Sequence, residues 1–289
     1  MKVCVNCEQR FAAADWCCPS CGRSPEFDRG YPVLAPDLAT ATDGFDADFF
    51  GQLARVEREH FWFESRNRLL IWALRTYFPE ASSLLEIGCG TGFVLFGLRN
   101  EFPRLFLSGS DIYTEGLEYA RERVPDATLF QMDACRIPFE DEFDVIGAFD
   151  VIEHISEDEI VLSQMFYAIR RGGGILLTVP QHPSLWSVAD AYAHHKRRYT
   201  SQELVAKVRA TGFEIVRVTG FVSLLLPAML LIRRRKSKPT NEDDPLAELK
   251  IGRFSNVLLE RILHFERSII KGGFSFPFGG SLLVVARRP

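Results

Sequence analysis

The sequence predicts a doubly wound α/β fold: a mostly parallel sheet of seven strands, helices on both faces, and a small cysteine-rich module at the N-terminus. Three observations carry this reading. Short apolar runs alternate with helix-patterned segments from residue 83 onward, the pattern of parallel strands joined by crossover helices. The first run passes straight into a glycine-rich turn at 88–92. Acidic residues then stand at the carboxyl ends of successive runs, the edge at which open α/β sheets bind ligands.

Length and composition set the frame. The chain has 289 residues, enough for one large domain and an appendage. Apolar residues make up 47% and charged residues 25%, ordinary globular usage. A net charge of -4 speaks against a sequence-independent nucleic-acid binder, so no nucleic-acid partner is expected. No stretch reaches the roughly 20 apolar residues that span a bilayer. The N-terminus has charge and cysteine where a signal peptide would have an apolar core. The expected location is cytoplasmic, with peripheral contact at the inner face of the membrane as a refinement.

Three regions follow one another. Residues 1–23 are cysteine-rich; residues 24–44, with Pro25, Gly30, Pro32, Pro36 and Gly44, read as a linker; residues 45–289 form the α/β domain, with inserts at about 181–200 and 221–275. Within 46–78, Phe49, Leu53, Val56 and His60, and then Leu69, Leu70, Ala73, Leu74 and Tyr77, recur at helical spacing until Pro79. Strands are expected at 83–87, 105–110, 128–131, 143–149, 175–179, 214–218 and 281–286. Helices are expected at 156–170, 201–210 and 246–270.

Cys4-x-x-Cys7 and Cys18-Pro19-Ser20-Cys21-Gly22 are two knuckles with ten residues between them. Four thiolates complete a tetrahedral zinc shell, and so short a loop needs the metal to fold. The pattern resembles a zinc ribbon. Cys4, Cys7, Cys18 and Cys21 are the expected ligands of a structural Zn2+. Cys17 could replace Cys18 but would break the two-residue spacing. A disordered tail and a redox pair are the alternatives. Cys89 and Cys135 read as small core residues.

Leu84-Leu85-Glu86-Ile87 runs into Gly88-Cys89-Gly90-Thr91-Gly92. Glycines are required where the chain turns sharply and a ligand approaches the backbone. The spacing Gly-x-Gly-x-Gly differs from the Gly-x-Gly-x-x-Gly of dinucleotide folds. Glu86 closes the first strand. Asp111 closes the second, where a carboxylate can accept both hydroxyls of a ribose. Asp133 follows the third, where a carboxylate can accept an adenine amino group, and Asp150 follows the fourth. No basic residue lies between Leu84 and Leu98, which suits a ligand without phosphate.

This order of motifs resembles the class I S-adenosylmethionine-dependent methyltransferases, whose sheet is Rossmann-like, over about residues 84–180. The resemblance implies that Glu86 and the loop Gly88, Cys89, Gly90 and Gly92 hold the methionine moiety of S-adenosylmethionine. It implies that Asp111, with Ile112, takes the ribose, that Met132 and Asp133, with Ala134, flank the adenine, and that Phe149-Asp150-Val151 lines the sulfonium pocket. The segment His60-Phe61-Trp62-Phe63-Glu64-Ser65-Arg66-Asn67 stands where the family carries a helical lid. Phe63 and Arg66 are its expected cofactor contacts, although its aromatics read equally as core.

Methyl transfer needs an aligned acceptor and, for a hydroxyl or an acid, a base. Residues 181–199 follow the fifth strand on the ligand side. They resemble a methyltransferase subgroup with His-Pro-x-Leu-Trp, here His182 to Trp186, and a later His-x-Arg-Arg-Tyr, here His195 to Tyr199. His195, His154 and Tyr199 are the candidate catalytic residues. His182, Trp186, Arg197 and Arg198 are the candidate substrate contacts, the arginines for an anionic acceptor. The plainer reading pairs Arg197 or Arg198 with Asp190 or Glu203 and packs His195 beneath.

Residues 221–232 are nearly all apolar, and Arg233-Arg234-Arg235-Lys236-Ser237-Lys238 follows. Twelve residues cannot span a bilayer. They can lie in a membrane interface through 221–238, form a buried helix broken near Pro227, or line the channel of a greasy acceptor. Phe274, Phe276 and Phe278 are expected to border the acceptor pocket. The expected function is methyl transfer to a small-molecule or lipid-linked acceptor, at oxygen. The alternatives are a non-catalytic cofactor-binding regulator, whose ribbon docks a protein partner, and a nicotinamide-dependent oxidoreductase.

Overall fold

The computed structural model describes residues 1–39, 48–235 and 251–289. In chain order the strands are β1 (Lys2–Val3), β2 (Arg10–Phe11), β3 (Glu26–Asp28), β4 (Tyr31–Val33), β5 (Ser83–Ile87), β6 (Phe106–Asp111), β7 (Thr128–Gln131), β8 (Phe143–Phe149), β9 (Ile169–Pro180), β10 (Glu214–Phe221) and β11 (Ser281–Arg287). The helices are α1 (Pro36–Ala39), α2 (Asp48–Val56), α3 (Phe61–Tyr77), α4 (Phe93–Glu101), α5 (Thr114–Arg123), α6 (Asp158–Ala168), α7 (Val188–Tyr192), α8 (Ser201–Ala210), α9 (Leu226–Arg235) and α10 (Arg253–Lys271).

The main sheet runs β10-β11-β9-β8-β5-β6-β7-β4-β3. Strands β4 to β9 pair in parallel, while β11 and β3 attach antiparallel. The centre of the sheet reads as near-continuous apolar runs because both faces are covered. Helices α3, α4, α5 and α10 lie over one face, with Leu69, Leu95, Leu117 and Leu263 in the core beneath them. Helices α6 and α8 cover the other, with Val161, Leu162, Leu204 and Val208. The order reverses between β5, which leads on to β6 and β7, and β8, which leads on to β9. A crevice opens at that switch point on the carboxyl side.

The seven expected strands are all present, and two more extend the sheet. Residues 24–44 are only partly a connection. Glu26–Asp28 and Tyr31–Val33 pair as a hairpin, and Val33 opposite Gln131 adds them to the edge of β7. Helix periodicity also ran too far in places. The expected helix at 156–170 stops at Ala168, because β9 begins at Ile169 and takes Arg170 and Arg171 into the sheet. Val56 and His60 do not share a helix: α2 ends at Val56, and His60 caps α3, accepting from Trp62 N at 3.3 Å. Pro227 breaks nothing. It sits in the first turn of α9, where a missing N–H costs nothing. Residues 236–250 of the basic tail and loop, 40–44 of the expected linker and 45–47 at the start of the expected domain lie outside the described residues.

The N-terminal module is not a loose appendage. Val3 N donates to Pro138 O at 2.9 Å, and Lys2 bridges Phe139. Trp16 meets Phe130 and Phe139 edge-on, with ring centroids 5.9 and 5.6 Å away. Among the described residues no helix is long and apolar enough to cross a membrane.

Candidate active site

A cavity of about 690 Å³ fills the crevice at the switch point. The tips of β5, β6, β7 and β8 supply its floor, α2 and α3 its cover, and Ala193, His194 and Lys196 part of its far wall. It gathers Glu86, Gly88, Cys89, Gly90, Asp111, Ile112, Met132, Asp133, Ala134, Phe149, Asp150, Phe63, Arg66 and His154 of the expected site. Gly92 is absent from that wall. It begins α4 at φ +72°, where a Cβ would meet Ala120 Cα at 2.8 Å, so its part is to let α4 and α5 close together.

The glycine turn has a steric cause at Gly88. Its φ is +65°, and a Cβ there would fall 2.5 Å from Val151 Cγ2. Gly88→Ala is expected to cost about 1–3 kcal/mol in backbone strain and overpacking. A thermal melt should show a drop of several degrees with cofactor binding weakened alongside. An unchanged melt would mean the turn is not held in this conformation. Gly90, at φ +48°, has only Phe50 of α2 near it, 3.6 Å from an added Cβ. The cover therefore rests directly on the turn.

The acids around the cavity differ in their partners. Asp111 accepts from Gly90 N at 2.8 Å and Tyr113 N at 3.0 Å. Burial nevertheless pushes its carboxyl up to about 6. Glu86 is 3% exposed, and its Oε2 has no hydrogen-bond partner. Burial raises its pKa well above the usual range; Arg66 opposes the shift, and Asp111 and Glu57 add to it. A buried carboxylate oxygen without a partner at a cavity wall calls for a cationic or donor-rich ligand. Asp133 Oδ1 accepts from Cys135 N at 2.8 Å. Asp150 stands at φ +60°, unusual for a residue with a Cβ and common at functional sites. It pairs with Arg66, whose guanidinium lies 4.5 Å from the Trp62 ring.

One group of contacts was not read from the sequence. Glu57, just past α2, accepts from Thr91 Oγ1 at 2.7 Å and pairs with Arg123 at 2.6 Å. Both charged side chains are nearly buried, so this link ties the cover to the glycine turn and to α5. The acidic and basic partners stand 66 residues apart, and no local motif marks them.

The block after β9 divides. His194 and Lys196 line the cavity, and neither was singled out in the sequence. The residues that were singled out turn inward or away. Tyr199 is fully buried and donates to Asp158 Oδ2 at 2.6 Å. Burial and that carboxylate hold its hydroxyl well above the ordinary range, so it keeps its proton, and it does not line this cavity. Arg198 binds Asp190 Oδ1 at 2.8 Å and Gln181 O at 3.2 Å. Arg197 reaches Asp158 and Ser156 O, both at 3.0 Å. His195 Nδ1 meets Asp190 Oδ1 at 2.9 Å, behind His154. Trp186 is 43% exposed outside the cavity, and His182 leans on Phe278 with centroids 5.6 Å apart. Arg197, Arg198 and Tyr199 thus clasp the insert to the domain, and the expected roles in substrate contact and catalysis do not fit their positions. His154 does border the cavity. Burial, first, and then His195 lower its pKa to about 4, so it stays neutral at physiological pH. Phe274, Phe276 and Phe278 do not line the cavity.

At the N-terminus, Cys4, Cys7, Cys18 and Cys21 bring their sulfurs within 4.8 Å of one another. Cys4 and Cys21 are 3.7 Å apart, Cys7 and Cys18 3.6 Å. Four sulfurs at about 2.3 Å from one tetrahedral ion would stand about 3.8 Å apart, so the donor set fits zinc. Cys17 points elsewhere, towards Gly22 O at 3.9 Å.

Residues 84–173 match the family described as Methyltransferase domain. Among curated proteins, trans-aconitate 2-methyltransferase of Variovorax paradoxus is 30% identical over 109 residues, 37% of this chain and 42% of that protein. Phosphatidylethanolamine N-methyltransferase of Cereibacter sphaeroides is 36% identical over 101 residues, 32% of this chain and 48% of that one. A curated S-adenosylmethionine-dependent methyltransferase of Mycolicibacterium smegmatis is 25% identical over 168 residues, and the chain covers 64% of its length. The chain therefore spans less than two thirds of these relatives. Among solved structures, Haemonchus contortus phosphoethanolamine N-methyltransferase 2 with S-adenosyl-L-methionine superposes with a TM-score of 0.52 at 22% identity, over 77% of this chain and 52% of that one. The methyltransferase bound to the Haloferax volcanii Trm112 activator gives 0.55 at 18%, over 84% and 97%. The matched domain, the sheet order and the acids at the strand tips agree: residues 84–173 are a methyltransferase domain, set in a fold similar to those of the solved methyltransferases.

Proposed function

We propose that this chain transfers a methyl group from S-adenosylmethionine to a small-molecule or lipid-linked acceptor, at oxygen. The observation that carries the reading is the set Glu86, Asp111, Asp133 and Asp150 around one cavity, with Glu86 buried and its Oε2 without a partner. The cofactor, when bound, supplies an electrophilic methyl on a sulfonium. Glu86 and the amides of the glycine turn would hold its amino-acid end. Asp111 would accept from the ribose hydroxyls, and Met132, Asp133 and Ala134 would border the adenine. Phe149, Asp150 and Val151 would wall the methyl. Arg66, paired with Asp150 and stacked on Trp62, fixes that wall. Phe50 and α3 exclude water. His154 borders the end of the cavity where an acceptor hydroxyl would lie, which supports oxygen over a quaternising nitrogen. Lys196 on the same wall suits an anionic acceptor. Mass spectrometry of an acceptor panel, free and lipid-linked, tests the transfer. The proposal expects methylated product and equimolar S-adenosylhomocysteine from hydroxyl or carboxylate acceptors, and turnover confined to amines would reverse the choice of atom.

Cofactor affinity should depend on pH through Asp111. Its carboxyl titrates near 6 in the folded, cofactor-free chain, against an ordinary 3.8. The folded state thus holds the proton more tightly than the unfolded one. This group's contribution to stability falls as pH rises from about 4 to about 6. Accepting from ribose hydroxyls requires the ionised form. Affinity should therefore weaken about tenfold per unit of pH below about 6, and titrations of Asp111→Asn should lose that slope.

We also infer that the four-cysteine module holds one structural Zn2+. Its packing on Phe130 and Phe139 supports a role inside the domain over a role as a docking arm. Lipid contact is the remaining part of the reading. Leu231 on α9, and Phe254, Leu258 and Phe265 on α10, are 50–83% exposed, an apolar face suited to a membrane interface. The side chains of Arg233, Arg234, Arg235 and Lys236 are outside the described ones. Flotation with anionic liposomes tests this face, and equal recovery after Phe254→Ser with Leu258→Ser removes it.

A further inference from the structure

We propose that Glu153, His154 and His195 form a second metal site, separate from the cysteines, for a first-row divalent transition-metal ion. The three side chains converge between the turn after β8 and the segment after α7. One ligand atom from each lies within 4.8 Å of the others.

Glu153 supplies the strongest reason. It is fully buried, and neither carboxylate oxygen has a hydrogen-bond partner. An uncompensated carboxylate in the interior is costly, and such groups are paired, protonated or bound to metal. Its nearest cationic candidate is His195, whose Nε2 stands 4.0 Å from Oε1, too far for a hydrogen bond.

His195 is set up for coordination. Its Nδ1 is taken by Asp190 at 2.9 Å, which leaves Nε2 facing Glu153. A carboxylate behind an imidazole fixes the ring and its tautomer, as behind metal-bound histidines generally. Asp190 is itself held by Arg198 Nε at 2.8 Å and by Ser187 N and Oγ at 2.7 and 2.9 Å. This explains why so many polar groups of the insert turn away from the cavity. His154 stands across the gap, its ring 4.6 Å from that of His195 and nearly perpendicular to it.

Two imidazoles and a carboxylate suit zinc, iron, cobalt or nickel better than magnesium or calcium, which prefer oxygen shells. Ligand atoms on one such ion, at about 2.0–2.2 Å, stand about 3–4 Å apart. Side-chain rotations of about an ångström close the present triangle. Three protein ligands leave coordination positions open. His154 is the one ligand of the three that borders the cavity, so the ion would sit beside that wall. The metal site itself does not depend on the methyl-transfer reading.

The test counts metal. Full-length wild type and Glu153→Gln are loaded with Zn2+, dialysed and analysed by elemental mass spectrometry. The proposal expects wild type to hold about one equivalent more than the variant. Calorimetric binding of S-adenosylhomocysteine, unaffected by the count, verifies that the variant is folded. His154→Ala, at the cavity border, is the second variant and should lose the same equivalent. Co2+ titration separates the two sites. The cysteine cluster gives an intense sulfur-to-metal band, and the second site gives only weak d–d absorption. Equal metal content in wild type and both variants overturns the proposal, whatever the cysteines bind and whether or not methyl transfer is found.

Discussion

Asp111→Asn should weaken binding of S-adenosylmethionine and S-adenosylhomocysteine by at least about 100-fold and leave the fold intact. Two hydroxyls donating to a carboxylate contribute about 1.5–3 kcal/mol each, so their loss covers about two to four powers of ten. The carboxylate also accepts from Gly90 N and Tyr113 N, and Asn keeps one acceptor oxygen for the turn. Burial already disfavours the ionised form, so removing the charge does not lower stability on that account. An unchanged melt with lost calorimetric heat would assign the defect to the ribose contact. Affinity within a few-fold of wild type would mean that the cofactor does not lie along β6.

The second large effect is expected from the cysteines. Cys4→Ser with Cys21→Ser should abolish zinc binding and open residues 1–23 to proteolysis. It should also reduce cofactor affinity about tenfold. Structural zinc holds so short a loop folded, with apparent binding energies of about 10–16 kcal/mol in zinc-finger peptides. The folded loop seats Trp16 against Phe130 and Phe139, pairs worth about 0.5–1.5 kcal/mol each beyond area burial. Arg136 donates to Val5 O, and Val3 N to Pro138 O. These contacts bracket Met132, Asp133, Ala134 and Cys135, the wall expected to border adenine. Loss of a few kcal/mol of support there is enough for a tenfold change, at about 1.4 kcal/mol per decade. Unchanged affinity after zinc loss would show the wall to be rigid by itself.

The strands around the crevice were legible because their signals are local: apolar runs of fixed length, a glycine turn, and an acid at each tip. β3 and β4 were not. Two strands of three residues, one carrying Pro32, have no periodicity to detect, and their place is set by Val33 meeting Gln131 across 98 residues. The cofactor-side residues were found for the same local reason. The block from His182 to Tyr199 shows the opposite limit. Its residue types are those of a site, but their direction depends on Asp190, which collects Ser187, His195 and Arg198 only once α7 has folded. Glu57, Thr91 and Arg123 escaped notice because each is ordinary by itself and their meaning lies in the triangle.

We propose that this crevice is built for S-adenosylmethionine. Isothermal titration of the purified full-length chain with S-adenosylhomocysteine, at pH 7.5 to keep Asp111 ionised, tests it most directly. Saturable binding at about one molecule per chain, lost in Asp111→Asn, is the expected result. Absence of heat with either S-adenosylhomocysteine or S-adenosylmethionine from folded, zinc-replete protein would contradict it.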